Sequence, residues 1–277
     1  MLAARQRQYA VGYFESWNLE SLLGVIDAAE LTRSPVIIGF NGEFLARRKG
    51  AEPGELAVYG ALGAAMAAKA SVPCGYIFNE CPNDAWVERA ITAGFNLVMP
   101  ADPHAPLQEY ERRVARLVNL AHAYRVAVEA NVEEDESDAV AYAESAARFV
   151  KATGVDLLAV SVGNEEIKLE GRVPLDLTRL EAVSQRVAIP LVLHGGTGIE
   201  DEAVKEAIRL GVRKINYGTY MKQEYLRALR IALVSEETNP HSLLGDGSAT
   251  DLMVIGRQVV RESVLERIEL LGCCGQA

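Results

Sequence analysis

Short runs rich in β-branched residues alternate along this chain with longer segments of helical period. The pair recurs eight times at a spacing of about 30 residues, the size of one βα unit. No other feature limits the fold as strongly. The predicted strands are Tyr9–Tyr13, Val36–Phe40, Cys74–Phe78, Asn96–Met99, Val126–Glu129, Leu157–Val162, Pro190–His194 and Lys214–Tyr217. Between them, apolar residues three and four apart predict helices over Leu19–Thr32, Leu56–Ala70, Leu107–Tyr124, Ala139–Thr153 and Ala203–Leu210. Glycine stops at Ala93-Gly94, Thr153-Gly154 and Leu210-Gly211 lead directly into the next strand. The run Leu157-Leu158-Ala159-Val160 has no polar alternation, which suits a parallel strand covered on both faces.

A chain of 277 residues is close to the size of one such barrel. The expectation is therefore an α/β protein, a single (β/α)8 TIM barrel over residues 1–277 with a C-terminal helical extension at Leu252–Leu270. The turn-rich segment Ser235–Gly247 before that helix reads as an external loop. An open doubly wound sheet is the rival, but no GxGxxG follows the first strand and polar residues collect at many strand ends.

No apolar run approaches membrane-spanning length, and Met1 to Tyr9 is polar where a signal peptide is apolar, so a cytoplasmic protein without membrane contact is expected. A net charge of −10 argues against nucleic acid as a partner, whereas a small anion can still be held by local backbone N–H groups. Cys74, Cys81, Cys273 and Cys274 have neither zinc-knuckle nor CxxC spacing and read as reduced thiols without a role.

Barrel sites are built at the C-terminal ends of the strands, and there the chemistry-bearing residues concentrate. Strand three ends in Asn79-Glu80, strand five in Glu129 and Asn131, and strand six in Gly163-Asn164-Glu165-Glu166. Strand seven ends in His194-Gly195-Gly196-Thr197-Gly198, and strand eight in Asn216-Tyr217-Gly218-Thr219. The last two form a candidate phosphate site, since glycines let N–H groups approach an anion and loops seven and eight of barrels often hold one. His104 reads as a rim residue, His122 and His241 as surface residues, Glu133–Glu136 as a solvated acidic loop, and Trp17 and Tyr217 as either mouth or core.

Val-Leu-His-Gly-Gly-Thr-Gly at 192–198, Gly-Val-Arg-Lys-Ile-Asn at 211–216 and Ala-Val-Gly-Tyr-Phe at 10–14 resemble class II fructose-bisphosphate and tagatose-bisphosphate aldolases. Arg33-Ser34-Pro35-Val36-Ile37, Ala93-Gly94-Phe95, Ala146-Ala147-Arg148-Phe149-Val150 and the ending Gly272-Cys273-Cys274-Gly275-Gln276-Ala277 extend the likeness over nearly the whole chain. The resemblance implies a zinc ion held by three histidines that polarises a ketose carbonyl and stabilises an enediolate, with an aspartate beside the first histidine moving a proton. It puts the third histidine on His194, the phosphate loop on Gly195, Thr197 and Thr219 with Gly196 between them, and a substrate-contacting asparagine on Asn216.

Other positions depart from that pattern. Asn79-Glu80-Cys81 stands where the family has Asp-His-Gly, Glu166 aligns with the second histidine, and the family's aspartate after strand eight falls on Gly218. The catalytic loop after strand five shrinks to roughly Val132–Asp138. A metal set of Glu80, Glu166 and His194 would be harder than three imidazoles, suited to Mn²⁺, Mg²⁺ or Fe²⁺ where the resemblance implies zinc. Glu129 or Glu165 would do acid/base work, since Asn79 at the aspartate's position cannot titrate. The leading expectation is a metal-dependent aldehyde-lyase acting on a phosphorylated or otherwise anionic ketose or sugar derivative, organised as a homo-oligomer. The alternatives are a sugar-phosphate isomerase or epimerase on the same scaffold, and a silent sugar-phosphate binder or partner subunit in which the glutamates are solvated loop charges.

Overall fold

Parallel neighbours need a crossover between them, and the helix after each strand supplies it. In the computed structural model, which describes residues 1–102, 105–132, 138–165, 169–234 and 237–277, the strands pair in sequence order as a closed parallel barrel. They are β1 (Val11–Glu15), β2 (Val36–Asn41), β3 (Cys74–Cys81), β4 (Leu97–Pro100), β5 (Ala127–Val132), β6 (Leu157–Val160), β7 (Leu191–Leu193) and β8 (Val212–Tyr217). β8 returns to β1 with Val11 opposite Lys214 and Tyr13 opposite Asn216.

The helices Leu19–Thr32, Ala139–Thr153 and Leu252–Leu270 have the predicted bounds. Local chemistry sets the first two. Asn18 accepts from Ser21 N at the start of one, and Gly154, at φ 73°, ends the other in the left-handed region. The strands differ more. β1 begins two residues later than predicted, at Val11, and β3 continues past Phe78 to Cys81, so Asn79 and Glu80 lie on the strand itself. The 235–247 loop contains a short helix, Pro240–Leu243, among its described residues.

The core lies partly inside the barrel and partly between the strands and the helical layer. The C-terminal helix belongs to that layer. Gly24 of the helix Leu19–Thr32 lets it come close, since a Cβ there would stand 2.9 Å from Val260 Cβ and 2.6 Å from the Arg257 carbonyl oxygen. Arg257 then grips Asp27 through two bonds of 2.5 and 2.7 Å.

Candidate active site

Along a strand, successive side chains alternate between the barrel interior and the helical layer. On β8 this sends Lys214 and Asn216 inward, and Ile215 and Tyr217 toward the helices. Lys214 is completely buried, with Nζ 2.5 Å from Asn216 Oδ1 and 2.8 Å from Glu129 Oε2. Glu129, on β5, is also completely buried, and its Oε1 lies 3.0 Å from His194 Nε2. Across the imidazole, His194 Nδ1 is 3.0 Å from Glu80 Oε1, and Asn41 Nδ2 donates to Glu80 Oε2 at 2.7 Å. A polar chain thus crosses the mouth of the barrel: Asn41, Glu80, His194, Glu129, Lys214 and Asn216.

Charge keeps the chain together. Burial works to raise the carboxyl of Glu129, but the Lys214 ammonium and the bond from His194 hold it below the usual carboxylate range. Burial opposes the charge of Glu80 as well, and bonds from His194 and Asn79 overcome it. An ionised carboxylate can only accept, so each ring nitrogen carries a proton where it bonds Glu129 or Glu80, and Nδ1, on the cavity side, is the one that would give up its proton to ligate a metal ion.

Glu80 reaches that position by an irregular route. Neighbours on a regular strand face opposite ways, yet Asn79 and Glu80 both line the cavity. The β3–β4 register shifts between Phe78 and Cys81, and Glu80 has φ 54°, left-handed backbone that a non-glycine residue rarely adopts. The bulge turns a side chain destined for the helical layer into the mouth, and such backbone costs on the order of 1–3 kcal/mol.

The cavity in front of Glu80 and His194 has a volume of about 310 Å³. Gly195, Thr197, Asn216, Gly218 and Thr219 line it as well, on the side of β7 and β8. Gly196 does not. A Cβ there would meet Ile215 Cγ2 and Tyr217 Cε1 at 2.7 Å, so its missing side chain serves packing against β8.

Of the residues predicted for acid/base work, Asn79 lines the cavity, 2 % exposed. Glu129 sits behind His194, off the cavity wall, and therefore cannot touch a substrate held there; Glu165 is exposed and also off the wall. Glu166, the shortened loop over 133–137 and His104 lie outside the described residues. His122 is at the surface beside Asp156, Asn131 is bonded to Tyr110 Oη, and the four cysteines are free thiols.

Four lining or supporting residues escaped the sequence reading: Glu15, Asn41, Lys214 and Lys222. Glu15, at the end of β1, is bonded to Lys222 of the helix Thr219–Ala232, whose ammonium also lies 4.8 Å from the ring centre of Phe44. Burial raises the Glu15 carboxyl above its usual range, against the pull of Lys222. A Cβ on Gly218 would stand 2.6 Å from Glu15 Oε2. The carboxylate thus occupies space that a side chain at 218 would claim. Lys214 had left a trace in the sequence, a charged residue within an apolar strand and in phase with Asn216.

A carboxylate oxygen and an imidazole nitrogen side by side are a donor pair fitted to a divalent ion. Asn79 Oδ1, buried on the same wall and without a hydrogen-bond partner, is an acceptor that a cation would satisfy. Among the described residues no cluster of three histidine, cysteine, aspartate or glutamate side chains is placed to hold a metal.

The family model described as "Fructose-bisphosphate aldolase class-II" matches residues 1–276. A "Probable fructose-bisphosphate aldolase" of Bacillus subtilis is 32% identical, the match covering 99% of this chain and 96% of the relative. The Escherichia coli K12 protein YdjI is likewise 32% identical, and the crystal structure described as the YdjI aldolase superposes with a TM-score of 0.84 over 99% of this chain and 96% of that one. A putative fructose-1,6-bisphosphate aldolase from Coccidioides immitis, 25% identical, gives 0.80 over 99% and 94%. From residue 1 to residue 276, then, the chain belongs to the class II fructose-bisphosphate aldolase family.

Proposed function

We propose that this protein is a class II aldolase-type lyase that cleaves a phosphorylated or otherwise anionic ketose derivative. The observation that carries the reading is the Glu80 Oε1–His194 Nδ1 pair, 3.0 Å apart, facing a cavity that the glycine- and threonine-containing ends of β7 and β8 also line. A divalent ion held by these two residues, with Glu166 as third ligand, would act as a Lewis acid on the substrate carbonyl.

The chain's own groups do the remaining work. Glu129 and Lys214 fix the tautomer and orientation of His194, as a carboxylate behind a ligating imidazole does. Backbone N–H groups of Gly195 and Thr219 and the Thr197 hydroxyl receive the anionic end of the substrate. Asn79 cannot titrate; its amide can donate a hydrogen bond or offer Oδ1 but cannot move a proton. The proton falls to Glu15, the carboxylate on the cavity wall that burial holds toward its protonated form.

A second reading, a sugar-phosphate binder without turnover, is favoured by one observation: the Nδ1–Glu80 contact also closes as a plain hydrogen bond. Elemental analysis of the purified protein, followed by a panel of ketose phosphates supplied with Zn²⁺, Mn²⁺ or Mg²⁺, separates the two. A bound divalent ion with release of an aldehyde product supports the lyase. Saturable binding of a ketose phosphate with neither metal nor turnover overturns it.

A further inference from the structure

A second, smaller cavity lies behind the mouth, on the helix side of β8. Its volume is about 120 Å³, room for several waters at about 30 Å³ each, and its walls are Arg172, Thr197, Tyr217, Tyr220 and Arg267. No carboxylate lines it and each of these side chains carries a donor, although the Tyr220 hydroxyl already gives its proton to Glu266 Oε2 at 2.9 Å.

Tyr217 is 1 % exposed, and its hydroxyl has no hydrogen-bond partner. A buried hydroxyl without a partner is costly unless something else fills its valence. Burial also holds the phenol proton well above its ordinary range, with Arg267 and Arg172 near enough to pull it back, so at neutral pH the group is a donor.

Arg172 belongs to the connection after β6 and is clamped to the loop after β7. Its Nη1 donates to the carbonyls of Thr197 at 2.7 Å and Ile199 at 3.0 Å, and Val173 N bonds Gly198 O at 2.8 Å. Among the described residues no carboxylate pairs with the Arg172 guanidinium. Arg267, from the C-terminal helix, stacks over the Tyr220 ring at 5.5 Å. Its contacts with Asp201 and Glu266 are both long, 3.5 Å, and its Nε is buried without a partner.

We propose that this cavity is a binding site for a single phosphoryl group, held by Arg172, Arg267 and the hydroxyl of Tyr217. The two guanidiniums supply the charge and planar forks that suit a tetrahedral oxyanion, and the Tyr217 hydroxyl gains the acceptor it lacks. The two cavities share Thr197 and Tyr217, whose ring forms part of the partition, whereas Arg172, Tyr220 and Arg267 line only this one. It stands whether or not the lyase reading does. Its occupant is either free phosphate or a phosphoryl group carried by a sugar.

The test is equilibrium binding of inorganic phosphate to the full chain by calorimetry, for the unmodified protein, Tyr217→Phe and Arg172→Gln. Tyr217→Phe removes only an unpartnered hydroxyl and keeps the ring, so the fold survives. Each variant should weaken binding by at least about tenfold, while Lys222→Gln, which alters the mouth alone, leaves this affinity unchanged. Competition by a ketose phosphate but not by the free ketose would identify a sugar-borne group as the occupant, and its absence free phosphate, the site standing in both cases. Phosphate binding that is absent, or indifferent to Tyr217→Phe and Arg172→Gln, overturns the proposal.

Discussion

His194 Nε2 lies 3.0 Å from Oε1 of Glu129, a carboxylate with no exposed surface whose other oxygen is 2.8 Å from the equally buried ammonium of Lys214. The imidazole that faces the cavity is therefore steered by a charge pair from β5 and β8, and the pair has no solvent to fall back on.

Removing one member of the pair should cost far more than removing both. Lys214→Met leaves Glu129 buried without its cation, and Glu129→Gln leaves Lys214 without its anion, each at about 3–5 kcal/mol. The double variant Glu129→Gln/Lys214→Met should lose less than the sum of the singles. Urea unfolding measures all three, and strict additivity would mean that the pair is not coupled.

Gly60 and Gly54 should respond oppositely to alanine. A Cβ on Gly60 would stand 1.7 Å from the Ala93 carbonyl oxygen, a backbone atom that cannot step aside, so Gly60→Ala is expected to cost at least about 1–3 kcal/mol despite the better helix propensity of alanine. Gly54 has open space around its Cβ direction. Gly54→Ala should be neutral or stabilise by about 0.4–1 kcal/mol. Thermal melts of the two variants decide, and equal effects would contradict the packing described.

Glu15 and Gly218 should behave as one unit. If Glu15 moves the proton, Glu15→Gln should lower kcat on a responsive ketose phosphate by about 10²–10⁴-fold and flatten the pH profile, with metal content unchanged. Gly218→Ala should push the carboxylate off Lys222 and reproduce part of that loss without lowering the melting temperature, because the atom it meets is the end of a side chain. A Glu15→Gln enzyme with full kcat and an unaltered pH profile would remove Glu15 from the chemistry.

The thiols give a pH signature. Burial pushes Cys81 and Cys273 each up to about 12. Unfolded thiols ionise near about 8.5, so above that pH the unfolded chain gives up protons that the folded chain keeps. Stability then falls as pH rises, by up to about 1.4 kcal/mol per unit for each thiol, until the folded groups ionise in turn. Below about pH 8 they contribute no slope. Urea midpoints between pH 8 and pH 11, beside those of a Cys81→Ala/Cys273→Ala variant, test the sign. At pH 8 a thiol reagent should reach the exposed Cys274 well before the others.

The barrel was legible because its signal is periodic and local. Asn18 before an apolar helix and Gly154 after one mark boundaries in a few residues each. The wall of β7 and β8 was legible for the same reason, as a histidine followed by glycines at a strand end. Glu80 was named, but the route by which it reaches the mouth was not readable, since nothing in Asn-Glu-Cys announces a left-handed glutamate in a bulge. Glu15 and Lys222 stand 207 positions apart, and no local pattern joins them. Glu129 was read as an acid/base candidate because the predicted strand ends at it, whereas β5 runs on to Val132 and leaves Glu129 deeper along the barrel axis.

The seam between β1 and β8 also sets an order of events during synthesis. Lys214 arrives on the last strand, and β1 has no β8 partner until that strand is made. A growing chain can lay down β1 to β7 and still hold Glu129 as a bare carboxylate beside His194, with one raw sheet edge on each flank. Long-range pairing of this kind is slow because the loop entropy is lost before the contacts form. Closure of the barrel and arrival of the Lys214 ammonium beside Glu129 therefore come together, and a stall just ahead of Val212 leaves a chain with most of its helices, an open sheet and no cation for Glu129.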